Sequence, residues 1–156
     1  MTTEPIAGGC QCGAVRYRLN GPLTNPHLCH CRMCQKAFGS YFAPLGDVPL
    51  TAFEITRHTR DLQGLGLLGT WLLPRLRHAA HFPLREGVNH ISVALGSLDH
   101  PESASPKGQF GTEARMPWFG EIAALPGKAT DEWGAAIPGL IANIKSSNHQ
   151  HPDHDT

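Results

Sequence analysis

No cysteine follows position 34, no apolar run approaches the roughly 20 residues needed to span a bilayer, and neither sign of charge is in excess. Each absence excludes something. All five cysteines fall between Cys10 and Cys34, an odd number in one short stretch, which argues against a disulfide framework spread over the fold. The apolar runs exclude a membrane-spanning helix. With 13 basic and 13 acidic residues, electrostatics gives no argument for a nucleic-acid or membrane partner. The opening Met1-Thr2-Thr3-Glu4-Pro5 has no positive region or apolar stretch of the kind that begins a signal peptide. The expectation is a soluble, cytoplasmic chain, and in a reducing compartment clustered thiols point to metal or to reactive cysteines.

What is present suits one small domain. The chain has 156 residues and is 40% hydrophobic, enough to bury a core. Gly 17 and Pro 13 together favour many turns and short elements over long helices. Residues 1–8 read as a loose lead-in. Residues 14–19 alternate apolar and polar with period two, the pattern of a strand, and Asn20-Gly21-Pro22 ends it as a turn. The stretch 31–37 suits one helical turn or a knuckle, stopped by Gly39, with 40–44 extended behind it. Residues 53–57 and 90–95 read as strands, the second closed by Gly96. The stretch 111–126 reads as loop and short strand anchored by Trp118 and Phe119, and 130–145 as a short helix broken at Pro138-Gly139. The polar, His-rich 146–156 is expected to be a disordered tail. The coarse class is mainly β, of short strands with few short helices, in a single domain over 1–145.

The chemistry concentrates in Cys29-His30-Cys31-Arg32-Met33-Cys34. Zinc takes sulfur ligands at about 2.3 Å in a tetrahedron. A C-x-C step in extended chain points both side chains to one face, and a C-x-x-C step lets the backbone curl so that both sulfurs face one ion. Joined, the two steps supply three ligands from one knuckle and leave a fourth position open, the pattern of a catalytic zinc. Two blander readings stand beside it: a closed structural zinc that recruits Cys10 or Cys12, and plain buried cysteines. Cys10-Gln11-Cys12 offers two more thiols, which need two partners that this chain does not provide as a second C-x-x-C. His30, between ligands, is expected to point away from them. Lys36 is either a surface lysine or a charge partner for thiolates or an anionic substrate. Trp118 and Trp133 suit core or interface, and His149, His151 and His154 a solvated tail.

These residues resemble a known family. Gly9-Cys10-x-Cys12-Gly13, then Cys29-His30-Cys31-x-x-Cys34-x-Lys36, then Gly39-Ser40, are similar to the glutathione-dependent formaldehyde-activating enzymes, relatives of centromere protein V. Ile91-Ser92-Val93-Ala94-Leu95-Gly96-Ser97-Leu98-Asp99 resembles the family's later strand and turn, and Met116-Pro117-Trp118-Phe119 is a weaker match. The resemblance spans residues 8–57 and 88–120. It implies a zinc-centred, mainly antiparallel β fold of the β-tent or Mss4-like kind, with two metals. Cys10 and Cys12 correspond to half of a structural site, and Cys29, Cys31 and Cys34 to an exchangeable catalytic one. It also implies a carbon–sulfur lyase that reversibly condenses glutathione, or a related thiol, with formaldehyde to S-hydroxymethylglutathione. The rival reading is a non-catalytic zinc module or glutathione carrier.

One departure is large. The family's later C-x-x-C, usually within Phe-Cys-Pro-x-Cys-Gly, is missing, and Leu72-Leu73-Pro74-Arg75-Leu76-Arg77-His78-Ala79-Ala80-His81-Phe82 stands there instead. The second zinc site is therefore incomplete in this chain. A hypothesis accounts for the anomalous stretch 61–83. A CTG leucine codon followed by C, read one nucleotide later, gives TGC, so a compensated frameshift turns Leu73 and Leu76 into the two absent cysteines. The gene's nucleotides test this; codons that cannot yield cysteine at both positions end it.

Overall fold

The computed structural model describes residues 6–10, 13, 15–57, 89–130, 132, 137–140 and 142–143. Cys12, the anomalous stretch 61–83, Trp133 and the tail 146–156 lie outside the described residues, as does much of the helix expected over 130–145.

Two sheets of short strands form the body. The first has the order β1-β2-β5, from β1 (Ile6–Gly9), β2 (Arg16–Leu19) and β5 (Phe53–Arg57), paired antiparallel throughout. The second has the order β6-β4-β3-β7, from β3 (Thr24–Cys29), β4 (Ala43–Pro49), β6 (His90–Ala94) and β7 (Gly108–Phe110). Its pairs are antiparallel except β3 with β7, which run parallel. The expected mainly β class holds, and a short helix, α1 (Arg32–Phe38), lies between β3 and β4.

Period two explains the core. On β2, Tyr17 and Leu19 turn inward and Arg18 outward. They meet Val48, Val93, Leu95, Leu98 and Ala104 from the second sheet and its sequel, so the main core lies between the sheets. Burying one such side chain stabilises the fold by about 1.5–3 kcal/mol. At the core's edge the Ser97 hydroxyl donates to the Ala94 carbonyl at 2.7 Å, so the Tyr17 hydroxyl donates to Ser97, also at 2.7 Å. Arg16 and Asp99 make a two-pronged ion pair that ties β2 to the chain after β6.

Several elements depart from the sequence reading. The lead-in 1–8 contains a strand, because Ile6–Gly9 pairs with β2. β3 was not expected: Pro26 and the left-handed Asn25 (φ 48°) break its ladder, and its register shifts between Thr24 and His27. The stretch 111–126 holds 3-10 turns at Thr112–Ala114 and Phe119–Ala124 rather than a strand. The strand there is β7, just upstream.

Central β4 carries the fold's second cluster. Val48 belongs to the main core, but Ala43 and Leu45 pack with Cys34, and Cys29, Cys31 and Phe38 close around them. This smaller cluster sits where β3 runs out into α1.

Candidate functional site

Cys29 is the last residue of β3, and Cys31 is the N-cap of α1 with extended backbone (φ −59°, ψ 148°). The C-x-C step is therefore drawn out, and its two side chains share a face. From the cap the chain curls into helix, which brings Cys34 back under Cys31. The Cys34 N–H donates to the Cys31 sulfur at 3.4 Å, and the Gln35 N–H donates to the Cys31 carbonyl at 3.0 Å. Gly39 ends the helix in the left-handed region (φ 58°), its N–H donating to the Gln35 carbonyl. The result is three sulfurs all within 4.8 Å of one another.

Their surroundings differ. Cys34 is buried, whereas Cys29 and Cys31 are only partly covered. Burial first, and then the neighbouring Cys29 and Cys31 sulfurs, push the Cys34 thiol up to about 12. Cys31 is held below the ordinary thiol range, chiefly because the Cys34 N–H donates to its sulfur. The cluster thus has an accessible, acidified edge and a buried base.

These donors fit zinc. Three soft sulfurs suit it by type. Sulfurs at about 2.3 Å around a tetrahedral ion stand about 3.8 Å apart, so spacings within 4.8 Å need little contraction. A bound cation also offsets the mutual repulsion that otherwise keeps neighbouring thiols protonated.

The remaining expected residues divide. His30 is not part of the three-sulfur group. It is fully buried, with its ring 4.7 Å from Phe119 and 5.9 Å from Phe42 by centroid. Lys36 is exposed on the last turn of α1. Trp118 is half-exposed, edge-on to Tyr41 at 4.6 Å. Cys10 lies in a separate place, buried, its sulfur accepting the Val15 N–H at 3.2 Å. Cys12, its expected partner in a second site, lies outside the described residues.

The sequence reading missed Gln35, Gln109 and Gly111. All three touch the back of the thiol knuckle: the Gln35 side chain reaches the Ala114 carbonyl and the Gln109 side chain the His30 ring, each across 79 residues of chain. No spacing in the sequence signals such contacts.

Fold and cluster together define a mainly β protein with a three-thiol group able to hold a metal ion. Over residues 5–65 the chain matches the family of the glutathione-dependent formaldehyde-activating enzyme, which bears out the resemblance carried by its cysteines. The match stops inside the anomalous stretch 61–83. No curated protein matches the chain. No helix among the described residues is long and apolar enough to cross a membrane.

Proposed function

We propose that this chain is a zinc-dependent carbon–sulfur lyase that reversibly condenses glutathione, or a related thiol, with formaldehyde. The observation that carries the reading is the convergence of Cys29, Cys31 and Cys34 within 4.8 Å, with one side open to solvent. The family match supplies the substrate class.

Cys29, Cys31 and Cys34 would hold the zinc, and the chemistry it would supply is a lowered pKa for a substrate thiol, so that thiolate would form at neutral pH. The chain's own groups do the rest. Ala43, Leu45 and Phe38 pack against the cluster and keep water from its buried side. Cys29 and Cys31, the partly covered sulfurs, mark the side from which substrate enters. Holding thiol and aldehyde together there converts an encounter of two solutes into a local step. The new C–S bond forms at the aldehyde carbon, and the proton lost from sulfur is matched by one gained at the aldehyde oxygen. The product is the S-hydroxymethyl adduct, and the reverse reaction retraces the path.

Cys10 and Cys12 would supply half of a second, structural site, with the domain extending over 1–145. With residues 61–83 as they stand, that site is short of two thiols and the domain draws its stability from packing.

The test is zinc stoichiometry with and without glutathione, followed by the rate of adduct formation relative to the uncatalysed reaction. One zinc per chain and a rate above buffer are expected. Bound zinc and bound glutathione with a rate equal to buffer would make the protein a carrier instead.

A further inference from the structure

The back of the knuckle is held by a strap, residues 109–114, that sequence separation alone would never place there. Gln35, one residue past the last thiol, is 4% exposed. Its side-chain nitrogen donates to the His30 carbonyl at 2.7 Å and to the Ala114 carbonyl at 2.9 Å. Its oxygen accepts from the Arg32 guanidinium. Both amide hydrogens are therefore spent, one on the knuckle and one on the strap. A second tie joins the His30 N–H to the Phe110 carbonyl at 2.8 Å. A third joins the His30 ring Nε2 to Gln109 Oε1 at 3.1 Å.

Arg115 fixes the direction of that third bond. Its Nη1 reaches the same Gln109 oxygen at 3.3 Å, and arginine only donates. The Gln109 oxygen is thus the acceptor for both groups, and His30 carries its proton on Nε2. Nδ1 of His30 is buried and has no hydrogen-bond partner among the described residues, so Gln109 alone among side chains orients the ring by hydrogen bonding. Gly111 completes the contact: at φ +64° it lies so close that an added Cβ would stand 2.7 Å from the Cys31 nitrogen.

We propose that Gln35 and Gln109 are positioning residues that set the metal affinity of the thiol cluster, acting through His30. This rests on the metal-centre reading above. His30 lies between two of the three thiols, so pinning its carbonyl, its N–H and its ring fixes the direction in which Cys29 and Cys31 leave the backbone. A knuckle fixed beforehand spends less ordering entropy when it closes on an ion. Partners outside the ligand shell typically change metal affinity by about 10–100-fold.

Two variants of the full chain test this. Gln35→Glu keeps the side-chain length and the acceptor for Arg32 but sets a carboxylate against two carbonyls. Gln109→Leu acts at an exposed position, where folding tolerates change, and frees the His30 ring. Zinc affinity is read by chelator competition, and geometry by the visible d–d bands of the cobalt(II)-loaded protein. The expected result is a loss of about 10–100-fold for Gln35→Glu. A smaller loss is expected for Gln109→Leu, and shifted cobalt bands in both. Wild-type affinity with unshifted bands in a folded variant would overturn the inference. If Gln35→Glu does not fold, Gln109→Leu decides alone on the same two readouts. Wild-type protein that binds no zinc would instead overturn the proposed function.

Discussion

Tyr17, Leu19, Val48, Val93 and Leu95 are buried between two sheets drawn from distant parts of the chain, whereas Cys29, Cys31 and Cys34 meet within a few residues of sequence. The first cluster exists only once the sheets have formed. The second is nearly dictated by local geometry, an extended C-x-C step running into a helical C-x-x-C step, and then locked from behind by long-range hydrogen bonds. The main core should therefore govern stability and the thiol cluster should govern metal binding, with little crossover. Strand β4 is the joint between them, giving Val48 to one and Ala43 and Leu45 to the other.

The largest expected effect breaks the thiol side alone. Cys31→Ser removes a ligand but keeps the helix cap, because a serine oxygen is a better cap than sulfur. Zinc affinity should fall by more than the roughly 100-fold that an outer partner costs, and lyase activity should fall with it. Thermal unfolding of the metal-free protein should barely move. Chelator competition and calorimetry on one preparation check both halves; a large stability loss without metal would show that the two regions are not separable. The converse is Leu19→Ala, at a side chain 1% exposed in the main core. It should cost about 2–5 kcal/mol in urea unfolding, while the folded fraction keeps the wild-type zinc content.

The same division explains what could be read in the sequence. Strands β5 and β6 show plain alternation, and both were expected at nearly their true bounds. The thiol knuckle was legible because metal-ligand spacing is a local property. By contrast β1 is Ile-Ala-Gly-Gly, with no alternation to read, and β3 contains a proline and a left-handed asparagine. Both are strands only because a partner strand pairs with them. β7 is three exposed residues whose place is set by parallel pairing with β3, a strand far away along the chain. Gln35 and Gln109 were invisible for the same reason, since their roles depend on a contact that closes only in three dimensions.

Gly111 tests the boundary between the regions. Gly111→Ala puts a Cβ against Cys31 and forces an L residue into the left-handed region. Strain of this kind costs about 1–3 kcal/mol. Unlike the two substitutions above, it should lower stability and zinc affinity together, because the strap belongs to the fold and presses on the knuckle. Unfolding curves and zinc competition on the same variant check this; a stability loss with unchanged zinc affinity would show that the strap does not steer Cys31.

Proton concentration should move the two regions in opposite directions. Tyr17 is pushed up from 10.0 to about 12, mainly by burial. The unfolded tyrosine loses its proton near 10 and the folded one near 12, so the native state holds the extra proton in between. Stability from this residue is complete below pH 10 and declines above it, by about 1.4 kcal/mol for each unit until the folded group also ionises. The thiols obey the reverse sign, because metal binding displaces their protons and so strengthens as pH rises. Urea unfolding between pH 9 and 12 should slope downward in the wild type and flatten in Tyr17→Phe, while zinc competition between pH 6 and 8 should tighten with pH in both. A Tyr17→Phe protein that keeps the full alkaline slope would move its origin away from the main core.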